Sequence, residues 1–114
     1  MRRAANLDSN HRDVVLALRA IGCCVQSLAS VGMGVPDLLV GYHGINVLLE
    51  VKDGAKKPSE RVLTRAESGW HSVWAGQVSV VETPEEAQLE VIRICVGPKA
   101  NAGMLERVTG APVR

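Results

Sequence analysis

Apolar side chains at Val14, Val15, Leu18 and Ile21 recur at helical spacing behind the capping candidates Asp8-Ser9-Asn10, and Gly22 supplies a stop. This pattern predicts a first helix over residues 9–21. Weak alternation from Cys23 to Ala29 predicts a short strand, followed by a loop through Ser30 to Gly34. Asp37 to Gly41 and Ile45 to Lys52 are β-rich runs joined by Tyr42-His43-Gly44, which reads as an antiparallel hairpin. Gly, Pro, Ser and Lys from Asp53 to Leu63 mark a loop, and Thr64-Arg65-Ala66-Glu67 has the capping-box pattern of a second helix over 65–75. Gly76 ends it. Gln77 to Glu82 reads as a strand, and Thr83-Pro84-Glu85-Glu86 as a second capping box opening a third helix over 84–93. From Gly97 onward no period is sustained. The order α-β-β-β-α-β-α predicts an α/β fold with a mixed β-sheet of about four strands flanked by helices. It is read as one domain over residues 1–96 with a tail, 97–114, to which no element is assigned.

A turn at His43-Gly44 sets a register in which Asp37 faces Glu50, Leu38 faces Leu49, Leu39 faces Leu48 and Val40 faces Val47. One pairing thus aligns the apolar residues and the acids together. Directly opposed side chains have Cβ atoms about 4.5–5.5 Å apart, and two like charges there destabilise a sheet unless something neutralises them. A divalent cation is the natural neutraliser, and hard carboxylate oxygens suit Mg²⁺ or Mn²⁺. Strand side chains repeat every second residue, so Lys52 projects on the face of Glu50, beside the candidate ion. A bound cation polarises phosphoryl oxygen and acidifies water, while Lys52 orients or activates that water or offsets charge on phosphorus. A nearby metal is expected to pull the lysine pKa down. The chemistry implied is phosphodiester hydrolysis. The plainer alternative is a solvated Glu-x-Lys pair with Asp37 opening a strand after Pro36; it sits less well with an apolar strand followed by a basic loop.

Composition changes this picture only at its edges. The 114 residues suit a single domain, and 46% hydrophobic with 22% charged residues excludes a disordered tail, a collagen-like repeat or a coiled coil. A net charge of +1 excludes a strongly basic, histone-like binder. Locally, five basic residues stand against two acids between residues 52 and 65, which makes one basic loop. The apolar runs are far shorter than the ~20 residues of a membrane span, so no membrane partner is expected. No apolar stretch follows Met1-Arg2-Arg3, so no secretory signal is read and a cytoplasmic location is expected. Cys23, Cys24 and Cys95 lack disulfide or zinc spacing and are read as small buried apolar residues in a reducing compartment.

Pro36-Asp37 followed by Glu50-Val51-Lys52 resembles the motif of the PD-(D/E)XK nuclease superfamily. The segments Gly34 to Val40, Leu49 to Gly54, Leu63 to Glu67 and Trp74 to Val81 are similar to its small VRR-NUC and phage-type branch, over roughly residues 8–92. The resemblance implies a restriction-endonuclease-like core and a Mg²⁺-dependent endodeoxyribonuclease. It assigns Asp37, Glu50 and Lys52 as catalytic, with Mg²⁺ (Mn²⁺ substituting) held by Asp37, Glu50 and the backbone carbonyl of Val51. Members often add an acid from the first helix. Asp13 is that candidate here, since Asp8 reads better as an N-cap. Relatives in the branch carry Gln in the second helix where this chain has Glu67, which either reaches the site or closes the capping box with Thr64. Lys56, Lys57, Arg61 and Arg65 then grip DNA phosphates, giving structure-guided or weakly sequence-specific cleavage. The resemblance further implies a homodimer, working with other replication or recombination proteins. Two readings compete: a catalytically silent nuclease-fold module that binds nucleic acid or protein, and a small enzyme acting on nucleotides. Trp70 and Trp74 share a helix face expected to pack on the sheet rather than stack on bases, and His11 and His43 are expected at the surface.

Overall fold

The computed structural model describes residues 8–97. The assignment made for the tail lies outside them beyond Gly97. In chain order the elements are α1 (His11–Ala20), β1 (Cys24–Ser27), β2 (Leu38–Tyr42), β3 (Ile45–Val51), one turn of 3₁₀-helix (Pro58–Glu60), α2 (Arg65–Val73), β4 (Val78–Val81) and α3 (Pro84–Val96). The strands form one mixed sheet in the order β1-β2-β3-β4. Three helices accompany it, so the fold is α/β.

The hairpin register is the one the apolar pattern predicts: Leu38 pairs with Leu49, Leu39 with Leu48 and Val40 with Val47. His43 and Gly44 both take positive φ, 52° and 78°, the signature of a two-residue turn whose twist matches the flanking strands. β1 extends the sheet antiparallel on β2, and β4 lies parallel to β3. A parallel neighbour requires a crossover of a dozen residues or more. Here the basic loop and α2 are that crossover.

Strand alternation sorts the sheet into two unlike faces. On one, α1 and α3 pack against each other and the sheet, burying Val14, Leu18, Val40, Val47, Leu49, Val51, Val91 and Ile92. The other face carries Asp37, Leu39, Leu48, Glu50 and Lys52, and α2 meets it through the bond from Lys52 to Glu67 and through its C-cap Trp74, which lines a hollow with Leu39 and Leu48.

α2 has no buried residue. Trp70 and Trp74 stack on each other, centroids 4.6 Å apart, and Trp74 is 46% exposed. That helical face therefore stays outside the core, with Trp74 lining an open hollow together with Leu39 and Leu48 of the sheet. His11 is buried rather than on the surface, and Cys24 is exposed rather than buried. Among the described residues no helix is long and apolar enough to cross a membrane.

The helix starts explain the remaining order. Thr64 and Glu67 form a complete capping box on α2. At α3 the box is half made, with the Thr83 side chain accepting the Glu86 N–H at 3.0 Å and Pro84 in the first turn. Thr83→Ala is expected to lower stability by about 1 kcal/mol, read as a lower urea midpoint at unchanged slope. At α1 the N-cap is Asn10, whose side chain makes no cap bond. Its Nδ2 instead donates to the carbonyls of Lys52 at 3.0 Å and Glu82 at 2.8 Å, tying the helix start to the ends of β3 and β4.

Candidate active site

Four parts of the chain converge where β3 ends. Asp37 stands just before β2, Glu50 and Lys52 at the close of β3, Thr64 and Glu67 at the start of α2, and Asp8 ahead of α1. With Lys56 from the crossover loop they line a cavity of about 280 Å³.

Asp37 is oriented by the backbone, its Oδ2 accepting the Val51 N–H at 2.8 Å. Glu50 is only 2% exposed, and its Oε1 has no hydrogen-bond partner among the described residues. Burial pushes its pKa up to about 9, and the adjacent Asp37 carboxylate and the charge of Glu67 push the same way, against Lys52. At neutral pH the Asp37–Glu50 pair therefore holds a proton in the absence of a cation. A buried carboxylate oxygen without a donor, beside a second carboxylate, is what a divalent cation would satisfy.

Lys52 is 7% exposed, with Nζ 2.7 Å from Glu67 Oε1 and 3.7 Å from Glu50 Oε2. Burial works against its charge, but the bond to Glu67 and the charges of Glu67, Glu50 and Asp8 outweigh it and raise the pKa. Without a cation, Lys52 is thus held as an ammonium donor, and the downward shift expected beside a bound metal concerns the loaded site alone. For Glu67, burial is outweighed by the hydrogen bonds from Lys52 and the Thr64 N–H, and its pKa falls. Its two expected roles are thus combined in one oxygen, since Oε1 takes the Thr64 N–H at 2.8 Å as well as Lys52. Closing the cap points Glu67 at the lysine.

Other expected residues fall elsewhere. Asp13 is exposed on α1 and does not line the cavity; Asp8 lines it instead. The reason is that Asn10 is the N-cap, which leaves Asp8 outside the helix and able to meet Lys56 Nζ at 3.1 Å. Arg61 is also engaged internally, 2.9 Å from Glu82. Of the four basic residues expected to grip phosphates, Lys57 and Arg65 are exposed and make no ion pair among the described residues. The side-chain amide of Asn10, which braces Lys52, carried no signal in the sequence beyond its capping type. His71, one turn past Glu67, has a buried Nε2 without a partner among the described residues, but it does not line the cavity.

Among the described residues no group of three or more His, Cys, Asp or Glu side chains is placed to hold a metal ion. The fit is to an ion that takes two carboxylates and keeps water or substrate oxygens in its remaining positions, which is the habit of Mg²⁺. Comparison of the chain with known protein families, curated proteins and solved structures finds no match.

Proposed function

We propose that this chain is a metal-dependent nuclease of the PD-(D/E)XK type, with a restriction-endonuclease-like core, hydrolysing DNA phosphodiester bonds. The observation that carries the reading is the orphaned Glu50 Oε1 beside Asp37, with the Lys52 ammonium 3.7 Å from the other oxygen of the same carboxylate. Asp37, Glu50 and the carbonyl of Val51 would hold Mg²⁺, or Mn²⁺ in its place. When bound, that ion supplies charge neutralisation at phosphate and a more acidic water.

The remaining work belongs to the chain. Lys52 donates to the phosphate oxygens or to the attacking water, and its charge offsets the negative charge that grows on phosphorus in the transition state. Glu67 is the positioning residue that holds Lys52 in place. Lys57 and Arg65 contact flanking phosphates, which give affinity with little sequence information. We extend the proposal to an endonuclease acting in the cytoplasm as a homodimer, alongside replication or recombination proteins.

The test is cleavage of labelled linear, nicked and branched DNA in Mg²⁺, Mn²⁺ or EDTA, with Lys52→Ala run in parallel. Cutting should require the metal and fall by about 100-fold or more in the variant. Wild-type protein that binds DNA but cuts none of these substrates in either metal would replace this reading with the catalytically silent binding module.

A further inference from the structure

The sheet face that carries the acids continues into a second cavity. Leu39 and Leu48 pair across β2 and β3, each two residues from Asp37 and Glu50 on the same face. With Trp74, Asn46 and Gln77 they line an open, mainly apolar hollow of about 450 Å³. Leu39 is 37% exposed and Trp74 46%, so a floor and a wall of carbon face solvent. Gly76 lets the wall fold inward: a Cβ there would meet Trp74 Nε1 at 2.8 Å. Trp70 stacks on Trp74, with ring centroids 4.6 Å apart. The Gln77 amide, anchored by donating to the Asn46 carbonyl at 2.9 Å, gives the hollow a polar edge.

We infer that this hollow is a base-stacking subsite for an unpaired nucleotide, so that the substrate of the acidic site is single-stranded or locally unpaired DNA. The inference rests on the nuclease reading for the scissile phosphate and on the hollow alone for the base. Two strand residues span about 7 Å, roughly the reach of one or two nucleotides, so a single strand could occupy the hollow and the carboxylates together. A base inside a duplex has both faces covered; only an unpaired one can lay a face on leucine and tryptophan. Charge agrees with this path. Arg65 opens α2 and Trp74 closes it, so the exposed Arg65, without an ion pair among the described residues, marks the phosphate end of a track whose other end is aromatic. A second copy fits less well, because a two-fold contact through this patch would set one hollow against another.

The experiment is a titration of intrinsic tryptophan fluorescence in EDTA with a short oligodeoxythymidylate and with a duplex of equal length. The single strand should quench the signal and bind about tenfold more tightly than the duplex. Trp74→Ala should weaken that binding by about tenfold, while Trp74→Phe, which keeps an aromatic face, should retain most of it. Equal affinity for both DNAs, or unaltered single-strand binding in Trp74→Ala, overturns the subsite even if metal-dependent cutting is observed. Conversion of a wild-type dimer to monomer by Trp74→Ala in sedimentation, with DNA binding unchanged, overturns it in favour of an interface between copies. If the binding profile holds but Mg²⁺ brings no cleavage, the subsite stands and the nuclease reading falls.

Discussion

Replacing Glu50 by Gln is expected to abolish metal-dependent cleavage and, at pH 7, to stabilise the metal-free protein by about 3 kcal/mol. The side chain is buried with a pKa of about 9 against 4.5 for an ordinary glutamate. A group whose folded-state pKa is raised contributes its stability fully below the unfolded value and loses it as pH climbs toward the folded one. Wild-type stability should therefore decline from about pH 5 to pH 9. Glutamine copies the protonated carboxyl in shape and does not titrate. The gain in Glu50→Gln should thus be small near pH 5 and grow by about 1.4 kcal/mol per pH unit toward neutrality. Urea denaturation of both proteins across that range, in EDTA, measures the difference directly. A difference that stays flat with pH would mean that Glu50 is already ionised in the folded chain. Adding Mg²⁺ should raise wild-type stability and release a proton, while leaving the variant nearly unchanged. That outcome would show that Glu50 is retained for something other than the stability of the fold.

Gly34→Ala should act on the same site from the other side of Asp37. Gly34 has φ of 82°, and a Cβ there would lie 2.2 Å from the Ala66 carbonyl oxygen and 3.0 Å from the Glu67 nitrogen. Both are backbone atoms of the first turn of α2, which cannot rotate out of the way. Left-handed backbone strain of about 1–2 kcal/mol adds to an overpacking cost of about 1–3 kcal/mol. Relief requires α2 to move, and Glu67 moves with it. The 2.7 Å bond to Lys52 should break, so cleavage falls about tenfold or more while the acids stay in place. Gly44→Ala is the control: its φ is 78°, but nothing lies within 4 Å of the added carbon. That variant should lose only the backbone term and cut normally. Equal behaviour of the two variants would show that the contact between Gly34 and α2 does not position Glu67.

How much of this was legible in the sequence follows from which interactions are local. The hairpin was, because a period of two and a turn at His43-Gly44 leave one register that buries Leu38, Val40, Val47 and Leu49 together. The meeting of Asp37 with Glu50 followed from it. The capping box at Thr64 was equally readable, since its partners are three residues apart. The fate of the basic loop was not. Lys56 finds Asp8 across 48 residues and Arg61 finds Glu82 across 21, and no periodicity reports such pairings. Asp13 and Asp8 could be ranked only by guessing which residue caps α1. The tryptophans illustrate a further limit: spacing of i, i+4 says that two side chains share a face, not what lies opposite it.

The bracket formed by Asn10 sets an order of assembly. Its amide joins the carbonyl of Lys52 to that of Glu82, partners 42 and 72 residues away along the chain. During synthesis Asp37, Glu50 and Lys52 emerge first, with the hairpin able to form around them. The strand that supports β3 on its far side, and the carbonyl that completes the bracket, arrive about thirty residues later, a delay of roughly two to six seconds at ordinary translation speed. A nascent or truncated chain ending before Glu82 carries every acid of the site without the frame that aims them. The frame around these acids is thereby completed only when the chain has nearly finished folding.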